Sequence, residues 1–130
     1  MYSTTAQTIP LEGAVSYDQN GIITSGITHT PGSSDVVIQT PGVYKIEVNV
    51  QTAQPSQFSI YVNGALVPGT TFGSFSGTSI THGASFVSLQ AGDVVTLVNH
   101  ASLDAVQLQV NPGGTEAAVN ASMTLQREND

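Results

Sequence analysis

An Asn63-Gly64 pair stands between two apolar runs in FSIYVNGALVPGTTF, residues 58–72. Both central positions of a two-residue hairpin need positive φ, so Asn-Gly flanked by alternating apolar residues is the strongest short-range hairpin signal a sequence can carry. Phe58, Ile60 and Val62 alternate before the turn, and a short return strand follows, which Pro68-Gly69 is expected to stop. A second piece, LQAGDVVTLVN at residues 89–99, sets an Ala91-Gly92-Asp93 turn ahead of a strand through Val95 and Leu97. A chain built around these two pieces is a β protein.

The pattern extends through most of the sequence. Turn signals recur about every ten residues, which is the spacing of a sandwich or barrel. They include Asn20-Gly21, Pro31-Gly32, Pro41-Gly42, Gln54-Pro55, Gly83 and Pro112-Gly113-Gly114. Tyr44, Ile46, Val48 and Val50 form one candidate inward face, and Val106, Leu108 and Val110 a second. Val119, Ala121, Met123 and Leu125 form a third. Lys45, Glu47, Asn49, Gln107, Gln109, Ser122 and Thr124 fill the alternate positions. One apolar and one wet face per strand is the antiparallel pattern. No segment has a helical period, and there is no internal repeat.

Composition excludes several function classes. The chain has 130 residues, enough for one domain, and its net charge is −7. Only Lys45 and Arg127 are basic. A nucleic-acid binder needs clustered Lys and Arg to displace counterions, and an anionic membrane surface makes the same demand. Neither partner is expected. Without cysteine there is no disulfide frame. No apolar run approaches the ~20 residues of a membrane-spanning helix. Residues 1–5, MYSTT, lack the basic and apolar regions of a signal peptide.

Signals for catalysis are weak. His29, His82 and His100 each sit beside turn residues and show no metal-ligand spacing. There is no GxSxG elbow, and the carboxylates are scattered singly. Asp35, Asp93 and Asp104 lie in expected loops and could offer oxygen to calcium, but they form no DxDxDG cluster. Asn120-Ala121-Ser122 matches a glycosylation sequon inside an expected strand, where it should carry nothing. The expectation is therefore a protein with no catalytic residues, no cofactor and no metal.

Five segments resemble one known family, the C-terminal head domain of BclA, a collagen-like exosporium glycoprotein of Bacillus spores. They are GVYKIEV (42–48), FSIYVNG (58–64), VPGTTF (67–72), LQAGDVVTLVN (89–99) and NASMTLQR (120–127). The resemblance covers roughly residues 9–127 and implies an all-β antiparallel jelly-roll sandwich of the tumour-necrosis-factor type that forms homotrimers. It also implies an extracellular location on the bacterial spore surface, reached without a leader, as mother-cell lysis would allow. Phe72, Phe75 and Phe86 fall in Gly/Ser-rich connections and are either core plugs or trimer-interface residues. The chain lacks the collagen stalk and carries instead a polar, uncharged arm, Met1, Tyr2, Ser3, Thr4, Thr5, Ala6, Gln7, Thr8 and Ile9.

The reading divides the chain into an arm or connector, residues 1–10, and a head, residues 11–130. The arm has no clear place in a core and is either a loose tail or a donor segment. Ten extended residues span up to about 33 Å, enough to reach a neighbouring trimer. Arms joining trimers head to tail do not close a ring, so the contact propagates. The expected function is a non-catalytic structural subunit that assembles through its arm into a spore-surface fibre, with an exosporium or coat protein as a further anchoring partner. The alternative is a trimeric head that binds a glycan or receptor, with loops around residues 29–35 and 72–86 lining the site.

Overall fold

A computed structural model describes residues 1–75, 78–111 and 113–128 of the chain. Eleven strands carry its structure: β1 (Tyr2–Ser3), β2 (Thr8–Ile9), β3 (Ile27–Thr28), β4 (Val36–Ile38), β5 (Gly42–Thr52), β6 (Ser56–Val62), β7 (Ala65–Ser74), β8 (Ser79–Leu89), β9 (Val94–Asn99), β10 (Val106–Gln107) and β11 (Ala121–Arg127). They form a four-stranded sheet in the order β1-β11-β5-β8, a five-stranded sheet in the order β3-β4-β9-β6-β7, and a small β10-β2 pair. Every pairing is antiparallel. The chain crosses between the large sheets after β4, β5, β7, β8 and β9, as the expected jelly roll requires.

The alternating runs place their apolar residues between the two sheets. Tyr44, Ile46, Val48, Val50, Ala121 and Met123 face Phe58, Ile60, Val95 and Leu97, and all are buried. Val36, Ile38, Val87 and Leu89 complete the core from strands the sequence did not mark clearly. Two expected core residues are not there. Val110 and Val119 are exposed, because they lie on the connection between β10 and β11 and no strand alternation reaches them. The Pro112 of the expected turn lies outside the described residues.

Asn63 and Gly64 both have positive φ, 52° and 80°, and Val62 pairs with Ala65 across a two-residue turn. The return strand does not stop at Pro68-Gly69. It runs through to Ser74, with a register shift opposite residues 59–61. Gly69, at φ 81°, gives the bulge its left-handed residue. Thr70 repairs the interrupted ladder: its buried Oγ1 accepts the Ile60 N–H at 3.2 Å and donates to the Val67 carbonyl at 2.6 Å. A bulge with its orphan groups satisfied bends a strand without ending it.

The two sequence pieces meet at one corner of the five-stranded sheet. Asn63 Nδ2 donates to Asp93 Oδ1 at 2.9 Å, and Asn63 Oδ1 accepts the Val94 N–H at 2.9 Å. Asp93 Oδ2 also accepts the Gln90 N–H at 2.8 Å. That backbone bond, and then the Asn63 amide, hold the Asp93 carboxyl below its ordinary value.

Candidate functional site

The first nine residues, which the sequence left as either a loose tail or a donor segment, have a defined place in the body. Tyr2 pairs with Ser122 and Ser3 with Ala121, so β1 extends the four-stranded sheet. On its other side Tyr2 exchanges backbone bonds with Gln19, at 2.9 Å and 3.0 Å. The arm is therefore held in a slot one strand wide, between β11 and residues 16–19. Polar residues fill the slot because its walls are polar. Ser3 is fully buried, with its Oγ accepting from Gln7 Nε2 at 2.9 Å. Thr4 N–H donates to Asp18 Oδ1 at 3.0 Å. Gln7 bonds Ser16 through both ends of its amide, at 2.8 Å and 3.0 Å.

Asn120 closes the slot. Its Nδ2 donates to the Thr5 carbonyl at 2.8 Å and the Gln109 carbonyl at 3.1 Å, and its N–H donates to the Ser3 carbonyl at 2.9 Å. Asn120 lies just ahead of β11, not inside it, and is buried with its amide nitrogen engaged, which removes the sequon from modification in the folded chain. Ile9 sits in the core, where β2 pairs with β10. Ala6 and Thr8 complete the segment, Ala6 without a core contact and Thr8 paired with Gln107.

The Met1 ammonium donates to the Met123 carbonyl at 3.1 Å, and burial pushes its pKa down. Beyond Met1 the edge of β11 has no partner strand among the described residues. An open groove of about 870 Å³ begins there, lined among others by Met1, Ile22, Ile23, Tyr44, Leu125 and Arg127.

The outer face of the four-stranded sheet carries a second feature. Along the first part of β8 small or polar Thr81 and Gly83 point into the sandwich, ahead of buried Val87 and Leu89, while Ile80, Ala84 and Phe86 point out beside His82 and Ser88. Phe86 is 64% exposed and Ile80 58% exposed. Val43, diagonal to Phe86 across the β5–β8 ladder, extends the apolar strip. Lys45 lies opposite Phe86, and Glu47 opposite Ala84. His82 is mid-strand, not in a turn, and its Nδ1 lies 2.8 Å from Asn49 Oδ1 and its Nε2 3.9 Å from Glu47.

The three phenylalanines separate. Phe72 lies on β7, half-buried and packed on the core, because Gly83 opposite leaves space for its ring. Phe86 lies on β8, and Phe75 lies just after β7 and is fully exposed. Sequence reasoning placed all three in connections because the Gly and Ser around them hide the strands.

The remaining titratable groups do not converge. His29 is buried and tied to Asn20 and to the Ser33 carbonyl. His100 Nδ1 lies 2.7 Å from Glu12 Oε1, and the Tyr61 hydroxyl donates to Glu12 Oε2 at 2.8 Å. His100 first, and Tyr61 second, hold the Glu12 carboxyl below its ordinary value. This trio fastens the turn around Glu12 to the end of β9. Asp35 and Asp104 bond their own loops and lie in different connections from Asp93. Among the described residues no three His, Cys, Asp or Glu are grouped to hold a metal ion.

The family model for the BclA C-terminal domain matches residues 1–126. The chain belongs to that family. The match begins at residue 1, so it includes the arm. No curated protein matches the chain in sequence. Among solved structures, the globular domain of a zebrafish complement 1qA protein is similar, at 14% identity and a TM-score of 0.50, over 78% of this chain and 92% of that one. That likeness supports the tumour-necrosis-factor-like jelly roll. A carbohydrate-binding module, CBM35 from Cellvibrio japonicus Abf62, aligns over 98% of this chain and 96% of its own at 15% identity, but its TM-score of 0.37 bears on neither fold nor role.

Proposed function

We propose that this BclA C-terminal-type domain is a non-catalytic structural subunit of an extracellular fibre on the bacterial spore surface. It forms a homotrimer, and its N-terminal arm joins one trimer to the next. A coat or exosporium protein anchors the fibre. The observation that carries the reading is the exposed apolar strip on the outer face of β8. A strand that turns Thr81 and Gly83 inward and Ile80, Ala84 and Phe86 outward is built to be covered on its outer face. The sparse charge of the chain suits such a face, since burial there desolvates only Lys45, Glu47 and His82. The scattered carboxylates and separately engaged histidines support a role without catalysis.

The test is size-exclusion chromatography with light scattering, followed by negative-stain electron microscopy of the purified chain alone. Trimers and long uniform filaments are expected. Phe86→Glu places a charge at the centre of the apolar strip, and should leave a folded monomer by circular dichroism. A Phe86→Glu chain that still elutes as a trimer refutes the assigned face.

The groove beside β11 favours a second reading, a trimeric head that binds a glycan or receptor. Its volume and mixed lining fit a small ligand. Discrete particles with no filaments, together with a positive glycan array, would favour this reading over the fibre.

A further inference from the structure

We propose that the slot between β11 and residues 16–19 is the acceptor for the N-terminal arm of a second copy, so that arms are exchanged between neighbours. This rests on the reading that the arm joins subunits, and adds where the arm docks. In the single chain the slot is filled by its own residues 1–5. Apart from Gln7, which bonds Ser3 within the arm itself, the groups that hold them belong to the body: Gln19 and Met123 through their backbones, Asp18 through its carboxylate, and Asn120 through both its N–H and its amide. A second copy carries the same arm sequence, so each of these bonds can be made between chains with nothing redesigned. Strand exchange of an identical element conserves its contacts and is a low-barrier route to assembly.

The geometry also permits release. Met1 lines the open groove, so that stretch of the arm is not enclosed by the body. Polar and backbone bonds hold it, with Met1 packed in part against the core; its fully buried side chain is a serine. The apolar anchor, Ile9, comes after the exchangeable part and stays in its own core through β2. The segment from Ile9 back to Ser3 spans up to about 20 Å when extended. Exchange therefore links bodies that nearly touch, as stacked trimers do. Each copy gives one arm and fills one slot, and this head-to-tail contact propagates. With contacts conserved, the local concentration of free slots decides between the closed and the exchanged form.

Removing the arm is a poor test of docking, because it strips the partners from Ser16, Asp18 and Asn120 and threatens the fold. A cysteine pair tests it in the full chain, which has no cysteine of its own. Met1 and Met123 exchange backbone bonds, so their neighbours Tyr2 and Ser122 form a non-hydrogen-bonded pair. Such pairs have Cα atoms about 4.5 Å apart, within disulfide range. The double variant Tyr2→Cys/Ser122→Cys is assembled under reduction, oxidised, and run on a non-reducing gel. Exchange predicts a covalent ladder extending beyond three chains, holding most of the protein. The same variant oxidised as dilute single chains, with its arm locked at home, should lose filament formation. Filaments whose chains run as single internally bridged bands overturn the exchange while leaving the fibre reading intact. Covalent species that stop at three chains overturn the link between trimers. Compact particles with internally bridged chains refute both.

Discussion

Gly83→Ala should destabilise the chain, although the same change in an open strand would stabilise it. Gly83 lies inside the sandwich on β8, and a methyl group there would sit 2.2 Å from Cγ and Cδ1 of the Phe72 ring. Unbonded carbons rest at about 3.5–4.0 Å, so the ring must retreat by more than an ångström. The atoms met are at the root of the ring, so a small tilt does not suffice and the side chain must leave its rotamer or push the sheets apart. Overpacking of this kind costs about 1–3 kcal/mol. Against it stands about 0.4–1 kcal/mol from the reduced freedom of the unfolded chain. The net expectation is a loss of about 1–2 kcal/mol, or roughly 3–8 °C in Tm for a chain of this size. Thermal and urea unfolding at one fixed protein concentration would measure it, since association shifts Tm by mass action. Phe72→Ala alone should also destabilise, by leaving a cavity at the sheet boundary. In the double variant the new methyl occupies part of that cavity, so the combined loss should fall short of the sum by about 1 kcal/mol or more. A Gly83→Ala chain that melts higher than the parent, or a strictly additive cycle, would refute the packing argument.

Two further outcomes are expected. Thr70→Val removes the hydroxyl that serves the bulge in β7 and leaves the Ile60 N–H buried without its partner, a loss of about 1–3 kcal/mol by urea unfolding, whereas Thr70→Ser should keep most of the stability. Asp93 and Glu12 both have folded pKa values below their unfolded ones, so each contributes stability that is complete above the ordinary carboxylate range and is lost as pH falls through the lowered value. Tm measured between about pH 6 and 3 should therefore fall less steeply for Asp93→Asn than for the parent, and an unchanged slope would show that the Asn63–Asp93 clasp does not act through charge.

The strands that can be read in the sequence are those whose two faces meet different solvents. β5, β6, β9 and β11 bury alternate residues against the opposite sheet, and the period of two in their side chains reports it directly. The Asn63-Gly64 turn was legible for a local reason, the positive φ at both residues. β8 was hidden because the first part of its inner face is Thr81, Gly83 and Ser85, residues that look like a loop, before Val87 and Leu89. Gly83 is there to admit the Phe72 ring from the other sheet, a fact about a residue eleven positions away that no local period can show. Val36 and Ile38 escaped for a simpler reason, since a three-residue strand has too little length to display alternation. The continuation of β7 past Pro68-Gly69 depends on Thr70 restoring a bond to a different strand, which is again nonlocal.

The place of the arm was illegible for the opposite reason. A polar, uncharged segment at a terminus is usually unbound, because it has no apolar surface with which to offset the entropy of ordering. Here the ordering is supported by walls that present carboxylate, amide and backbone groups on both sides, so polarity in the arm matches polarity in the slot. An apolar strand in that position would keep the backbone bonds to Asp18 and Asn120 but would leave the Ser16 N–H and carbonyl without the Gln7 amide. A segment bound through hydrogen bonds can exchange those bonds with water while it moves, whereas one bound through buried hydrocarbon must expose it. The two places where the sequence departs from ordinary β patterning, an outward-facing apolar strip on β8 and a polar strand in β1, are therefore complementary. In the proposed assembly the first would provide a permanent face, since hydrophobic cover is lost only by exposing Phe86 and Ile80 again, and the second a contact that can be opened and remade, which is what a subunit needs if it is to add to the end of a growing fibre after its own head has folded.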